Sequence, residues 1–416
     1  MSDPGGSVAP RHPELRHRSL IAWPGYRSGL PVSAFDRRVV GAIAKPLAQA
    51  RLDPKFITAA LKAGFGVALP AQAWRNQLPL DHPKRTGTFA QLRLHRPGVQ
   101  LAPDKERLRA GFAERYAQDH LAAELEALAT IATTPGHVLE NEGGQGRRTE
   151  LLLARLTAEE FTARRAWSPA PGQDGRRALY ATIVLQGRHA ADPSVVDWLV
   201  AAYADFEDVS GYWIVAVNSS QSGRQLAGYA RLALRLQQVT ERPSVTSCVG
   251  DGHLACLASG VAATCAGLHG MLFRYPPAEL PEPDEEDEEE IGLGIHTYHR
   301  AILGNAGRLG RVGDELRRAL FLNQPCPCGH HPAAEPPSGK KQIVAHNSWS
   351  IAADAREFAL ADVAAAEAQL ALRAEQARRQ RAFLKMSRLR AGFAAVPREA
   401  RRLRDQGTDA ASGDTD

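Results

Sequence analysis

The chain has 416 residues, 44% hydrophobic and 23% charged, a composition that sets it among globular proteins with room for one large core and an appendage. No run approaches the roughly 18 to 20 apolar residues of a membrane span, and Met1 to Pro13 lacks the apolar stretch of a secretory signal. A cytoplasmic protein without a membrane partner is expected. Five cysteines are few for this length, and a tight Cys326/Cys328 pair fits metal binding in a reducing compartment better than a disulfide framework.

Taken in chain order, residues 1–15 read as a disordered tail, since polar and turn-forming residues bury too little apolar surface to offset ordering entropy. Residues 16–275 read as the main domain. Its first half offers strand candidates at Leu20 to Trp23, Gly66 to Leu69, Thr88 to Leu94 and His137 to Glu140. Helices are expected from Lys105 to about Thr130 and from Thr149 to Trp167.

From Ala178 the alternation becomes regular. Apolar runs at Ala178 to Leu185, Tyr212 to Val217, Ser244 to Val249 and Val261 to Ala266 are separated by helical stretches at Pro193 to Phe206, Arg224 to Gln238 and Gly252 to Ser259. Strand and helix lengths in strict alternation indicate parallel βαβ units. The fold class expected is α/β, a (β/α)8 TIM-like barrel, with an open doubly wound sheet as the competing arrangement. In a barrel the carboxyl ends of the strands carry the site.

Residues 276–295 hold the run Glu282 to Glu290, almost all carboxylates, whose self-repulsion indicates a solvated loop. Residues 296–360 read as a metal-binding subdomain. Residues 361–405 read as a basic helix: between Arg373 and Arg404 there are eleven Arg or Lys against two Glu, enough to favour a phosphate backbone through counterion release. Residues 406–416 read as a second disordered tail.

The densest chemistry lies in Asn323-Gln324-Pro325-Cys326-Pro327-Cys328-Gly329-His330-His331, with His346 following a Pro/Gly-containing loop. Two thiolates, one imidazole of His330 or His331, and His346 make a tetrahedral zinc set, and thiolates at i and i+2 reach one ion only from a tight turn. Four protein ligands leave no open position, so Zn2+ there is expected to be structural.

Other polar groups fall at predicted strand ends. Asp251, in Gly250-Asp251-Gly252-His253, is placed for a nucleophile or base but equally for a helix N-cap. Asn218, with Ser219, Ser220 and Gln221, suits the polar edge of a ligand. The histidines of His296-Thr297-Tyr298-His299-Arg300 are donors that could reach the same end. Cys265 lies in an apolar run and reads as a buried thiol.

Cys-x-Cys-x-x-His at 326, 328 and 331, followed by His346-Asn347, resembles the zinc motif of the tRNA-guanine transglycosylases. That family has a third Cys where this chain has His331, and a longer loop; the resemblance selects Cys326, Cys328, His331 and His346 as the ligand set. The segment ALYATIVLQG, Ala178 to Gly187, is similar to the family's strand ending in Val-Gln-Gly, and Gly211-Tyr212-Trp213-Ile214 resembles the strand after it.

The resemblance implies Gln186 as a base-reading amide, with Glu140 or Glu142, in HVLENEGG, as the acid that recognises the base. It implies a pentosyltransferase reaction, base exchange at guanine or 7-deazaguanine insertion in tRNA or DNA. The ligands are then a purine or deazapurine base and the nucleic acid, and a homodimer or partner subunit is expected. The family's catalytic Asp in the last strand has no counterpart in VAATCAG, where Cys265 stands near its place, and its Asp-Ser-Gly-Gly signature is missing from VALPAQ. Asp251 is the best available carboxylate. A non-catalytic nucleic-acid-binding or accessory subunit is the alternative.

Overall fold

The computed structural model describes residues 19–23, 32–35, 37, 40–103, 108–141, 144–164, 177–218, 223–249, 252–267, 322 and 325–338, with separate positions between 342 and 372. Both tails, the acidic loop and the basic stretch beyond 372 lie outside the described residues.

Eight parallel strands close into a barrel in sequence order. They are β1 (Ser19–Trp23), β2 (Val40–Ala44), β3 (Gly66–Ala68), β4 (Ile131–Thr133), β5 (Ala178–Gln186), β6 (Gly211–Val217), β7 (Ser244–Ser247) and β8 (Ala263–Gly267), and β8 pairs back onto β1 from Ala263 opposite Ser19 to Gly267 opposite Trp23. Between them run α1 (Leu47–Ala50), α2 (Pro54–Lys62), α3 (Pro83–Thr86), α4 (Ala110–Glu126), α5 (Gly144–Ala163), α6 (Gly187–Ala190), α7 (Pro193–Ala204), α8 (Gly223–Thr240) and α9 (His253–Ala258). This is the α/β barrel that the strand and helix alternation predicts, and it excludes the open sheet.

Local chemistry explains several boundaries. Asp192 caps α7 by accepting from the Ser194 amide at 2.9 Å, with Pro193 holding the first helical position. α8 buries Leu226, Tyr229, Ala233 and Leu236 along one stripe, and the Tyr229 hydroxyl donates to the Leu185 carbonyl at 3.0 Å. Gly211 sits at the start of β6 because a Cβ there would stand 2.6 Å from the Tyr180 ring and 2.4 Å from the Pro243 carbonyl oxygen.

The barrel interior is built from small side chains around two large ones. Ala42, Ala44, Ala68, Ala178 and Ala263 surround Tyr180 and Trp213, whose rings meet edge to face at 6.4 Å. The Trp213 indole donates to the Ser247 hydroxyl at 3.2 Å, which satisfies its one polar atom. Tyr180 and Trp213 thus fill the barrel interior.

Three expectations differ from the structure. Val40–Ala44 is a strand that the pattern does not announce, short and preceded by charged residues. Thr88–Gln91 is a 3-10 turn instead of a strand. Residues 137–140 run as irregular chain after β4, whose ladder ends at Thr133.

The outer layer includes the segment that follows the barrel. Ala355, Phe358 and Ala366 are buried in the same core as the barrel helices, with Ala345 and Ala361 packed against it. That contact seats the region of the Cys/His cluster on the barrel. Among the described residues no helix is long and apolar enough to cross a membrane.

Candidate metal centre and barrel-mouth cavity

Cys326, Cys328, His331 and His346 are all buried, and their ligand atoms lie within 4.8 Å of one another. Pro325, Pro327 and Gly329 shape the turn that brings the two sulfurs together, and Gly329 takes a left-handed φ of 70° that disfavours any side chain. The Cys326 amide donates to the Ala333 carbonyl at 2.7 Å, which closes the loop on itself.

The imidazoles are oriented by their surroundings. His331 donates from Nδ1 to the Pro332 carbonyl at 2.9 Å, which leaves Nε2 as the lone pair facing the cluster, 3.0 Å from His346 Nδ1. His346 Nδ1 lies 3.5 Å from Cys326 Sγ. Burial lowers the His346 pKa and keeps the ring neutral, as a ligand must be.

The two thiols share a proton. A hydrogen bond from Cys326, helped by the His346 ring and the His330 amide at 3.4 Å, pushes Cys328 down to about 3, and the same contact with burial raises Cys326. Cys328 is thus the readier thiolate of the pair, beside the rings of His331 and His346. This donor set fits a borderline-soft divalent ion in tetrahedral geometry.

The second site is a cavity at the carboxyl ends of the strands. Its walls are largely apolar, with the indoles of Trp23, Trp74 and Trp213. Polar lining comes from Gln72, His120, Thr133, Thr134, Thr182, Ser247 and Cys248. Gly136 lines it too, because a Cβ there would come within 2.5 Å of the Thr182 methyl.

One wall depends on a break in the sheet. β3 and β4 pair only through Ala68 and Ile131. Beyond that pair the Glu124 carboxylate, 0% exposed, stands in for the ladder: it accepts from Ala71 N at 3.1 Å, from Thr133 N at 2.6 Å and from Thr133 Oγ1 at 2.7 Å. His120, one helical turn earlier on α4, enters the cavity wall beside it.

The chain after β4 is pinned by side chains in place of a ladder. The Gln77 amide pairs with Val138 in both directions, at 2.7 and 2.8 Å, and the Gln186 amide donates to the Leu139 carbonyl. His137 donates from Nδ1 to Glu150 at 2.6 Å and accepts from the Tyr116 hydroxyl at 3.1 Å, itself a partner of Asn76 at 3.0 Å. Burial pushes the Tyr116 pKa above the usual phenol range. Arg85, buried beneath the segment after β3, donates to the carbonyls of Asn76, Leu78, Arg96 and Val99.

Gln186 is buried at the end of β5 with its amide nitrogen on Leu139, and it does not line the cavity. Glu140 is exposed, and its carbonyl accepts from Arg188 at 2.6 Å. Asn218 is exposed after β6 with a left-handed φ of 50°. Glu142 and Asp251 lie outside the described residues, as do Ser219, Ser220, Gln221 and the histidines at 296 and 299. Cys265 points into the barrel interior, where burial lifts it well above the usual thiol range.

Sequence reasoning passes over Trp23, Gln72, Trp74 and His120. The one trace of the last is its i, i+4 spacing to Glu124, which on a helix usually marks a solvated pair. No family model matches the chain, and no curated protein matches it.

Proposed function

We propose that the chain is a divergent transglycosylase that receives a purine or 7-deazapurine base at the barrel mouth and exchanges it at guanine in tRNA or DNA by cleaving the N-glycosidic bond. The observation that carries this reading is the indole-walled cavity at the carboxyl ends of the strands, the end at which barrel enzymes hold their substrates. The Cys/His cluster that follows the barrel in the order Cys-x-Cys-x-x-His and His supports it.

In this reading the cluster holds zinc through Cys326, Cys328, His331 and His346 and staples the chain after the barrel, with no position left for water activation. Aromatic walls accept a flat base by stacking. Gln186, Glu140, Glu142 and Asn218 follow the carboxyl ends of β4, β5 and β6 and meet the base there, Gln186 by exchanging its Leu139 contact for a base edge. Asp251, three residues beyond the cavity-lining Cys248, is the carboxylate that attacks C1′ of the ribose; the departing base carries the bond electrons, and an incoming base displaces Asp251. The Arg-rich stretch from Arg373 to Arg404 holds the phosphate backbone.

One observation favours a second reading, an accessory subunit that binds nucleic acid without catalysis. None of the described residues lining the cavity carries a carboxylate. Incorporation of labelled guanine into tRNA and into duplex DNA separates the two. The catalytic reading expects incorporation by the chain alone, lost in Asp251→Asn. Incorporation only with a second subunit, or unchanged incorporation by Asp251→Asn, overturns it.

A further inference from the structure

His120 and Gln72, which both line the barrel-mouth cavity, carry two buried acceptor atoms that no described residue satisfies. His120 is 1% exposed, and its Nε2 lies 2.9 Å from the Thr133 carbonyl oxygen and 3.3 Å from Glu124 Oε1. Both neighbours are acceptors, because Glu124 already receives three protons from Ala71 and Thr133. Nε2 therefore carries the hydrogen, and in the neutral ring Nδ1 is a bare lone pair.

That Nδ1 is buried and has no hydrogen-bond partner among the described residues. The same holds for Gln72 Oε1. Both residues line the cavity. Gln72 is fixed there by a left-handed φ of 55°, where the chain turns into the 3-10 segment Ala73–Gln77. A buried acceptor without a donor carries its full desolvation cost, which a ligand's N–H removes.

We propose that His120 Nδ1 and Gln72 Oε1 form an acceptor edge that selects flat, uncharged nitrogen heterocycles bearing N–H donors. The ligand is flat because Trp23, Trp74 and Trp213 wall the space. It is uncharged because no Asp, Glu, Lys or Arg is among the described lining residues, so an ion would enter unpaired. Glu124 positions the edge: it holds the split between β3 and β4 open at Ala71 and Thr133, and it stands beside His120 Nε2. The proposal rests on the reading of this cavity as a base site, and it adds which atoms decide the base.

The test is tryptophan-fluorescence titration of the purified full chain with guanine, which offers adjacent N1–H and 2-amino donors. Hypoxanthine, which lacks the amino group, and 1-methylguanine, which lacks the N1 hydrogen, are the comparisons. Guanine should bind roughly 10- to 100-fold tighter than either, the usual penalty for leaving a buried acceptor unpaired. In Gln72→Met and His120→Phe that advantage should fall to within about threefold. If His120→Phe does not fold, Gln72→Met decides alone, since Gln72 is half-buried in a loop.

Equal binding of the three bases, no binding of any, or full discrimination retained in Gln72→Met overturns the acceptor edge. The base-exchange reading fails separately: selective binding without label incorporation leaves the edge standing. Incorporation that proceeds while Gln72→Met keeps its discrimination does the reverse.

Discussion

Replacing Glu124 tests whether a side chain does the work of a strand ladder at the β3–β4 opening. Glu124→Ala removes the acceptor of two backbone amides, Ala71 and Thr133, and of the Thr133 hydroxyl, all in a site shielded from water. Each buried donor left unpaired costs about 1–3 kcal/mol, and some relief from entering water brings the sum to about 3–6 kcal/mol. At about 2–4 °C per kcal/mol for a domain of this order, the melting temperature should fall by about 6 to 24 °C. Thermal unfolding followed by circular dichroism gives the first number, and amide hydrogen exchange locates the effect, which should centre on Ala71 and Thr133. A variant within about 1 kcal/mol of the parent, or unchanged protection at those two amides, refutes the reasoning.

The metal centre and the buried thiols give further expectations. Purified protein should contain one zinc per chain by atomic emission, Cys326→Ser should lose it, and a chelator should lower the melting temperature of the parent but not of the variant; full zinc in Cys326→Ser sinks the assignment. Burial pushes Cys256 up to about 11 and Cys248 up to about 12, and lifts Cys265 well above the usual thiol range. Because the folded state favours the neutral thiol, their contribution is complete below the ordinary value of 9.0 and is lost as pH rises toward 12, at about 1.4 kcal/mol per pH unit for each thiol. Denaturant midpoints measured from pH 7 to 11 should stay level and then drop. In the native protein at pH 8, alkylation should leave all three unlabelled; rapid labelling of Cys248 would contradict its burial.

The second half of the barrel was legible because β5, β6, β7 and β8 are apolar runs separated by helical stretches. Each of those signals is local. The metal cluster was legible for the same reason, since three of its four ligands fall within six residues. β2 and β4 were not: three to five residues of a closed barrel carry no period, and their burial comes from neighbours distant in sequence. The apolar pattern of His137 to Glu140 looks like a strand, yet Gln77, Glu150 and Gln186 supply the hydrogen bonds that a ladder would. His120 and Glu124 stayed hidden because the gap that buries them is a property of strand pairing.

Tyr180 and Trp213 fill the barrel interior, and Trp213 also forms part of the cavity wall, so one ring joins two regions with different duties. In that interior cluster, five alanines on four strands can vary only with the volume they enclose, so changes there trade packing and rigidity. In the cavity wall, Gln72 and Trp74 belong to the segment after β3 and can be exchanged with little consequence for the closed sheet. A division of that kind makes recognition an independently adjustable part of the molecule. It also offers a redesign route: ligand preference can be altered at Gln72 and Trp74 while the interior cluster preserves the fold.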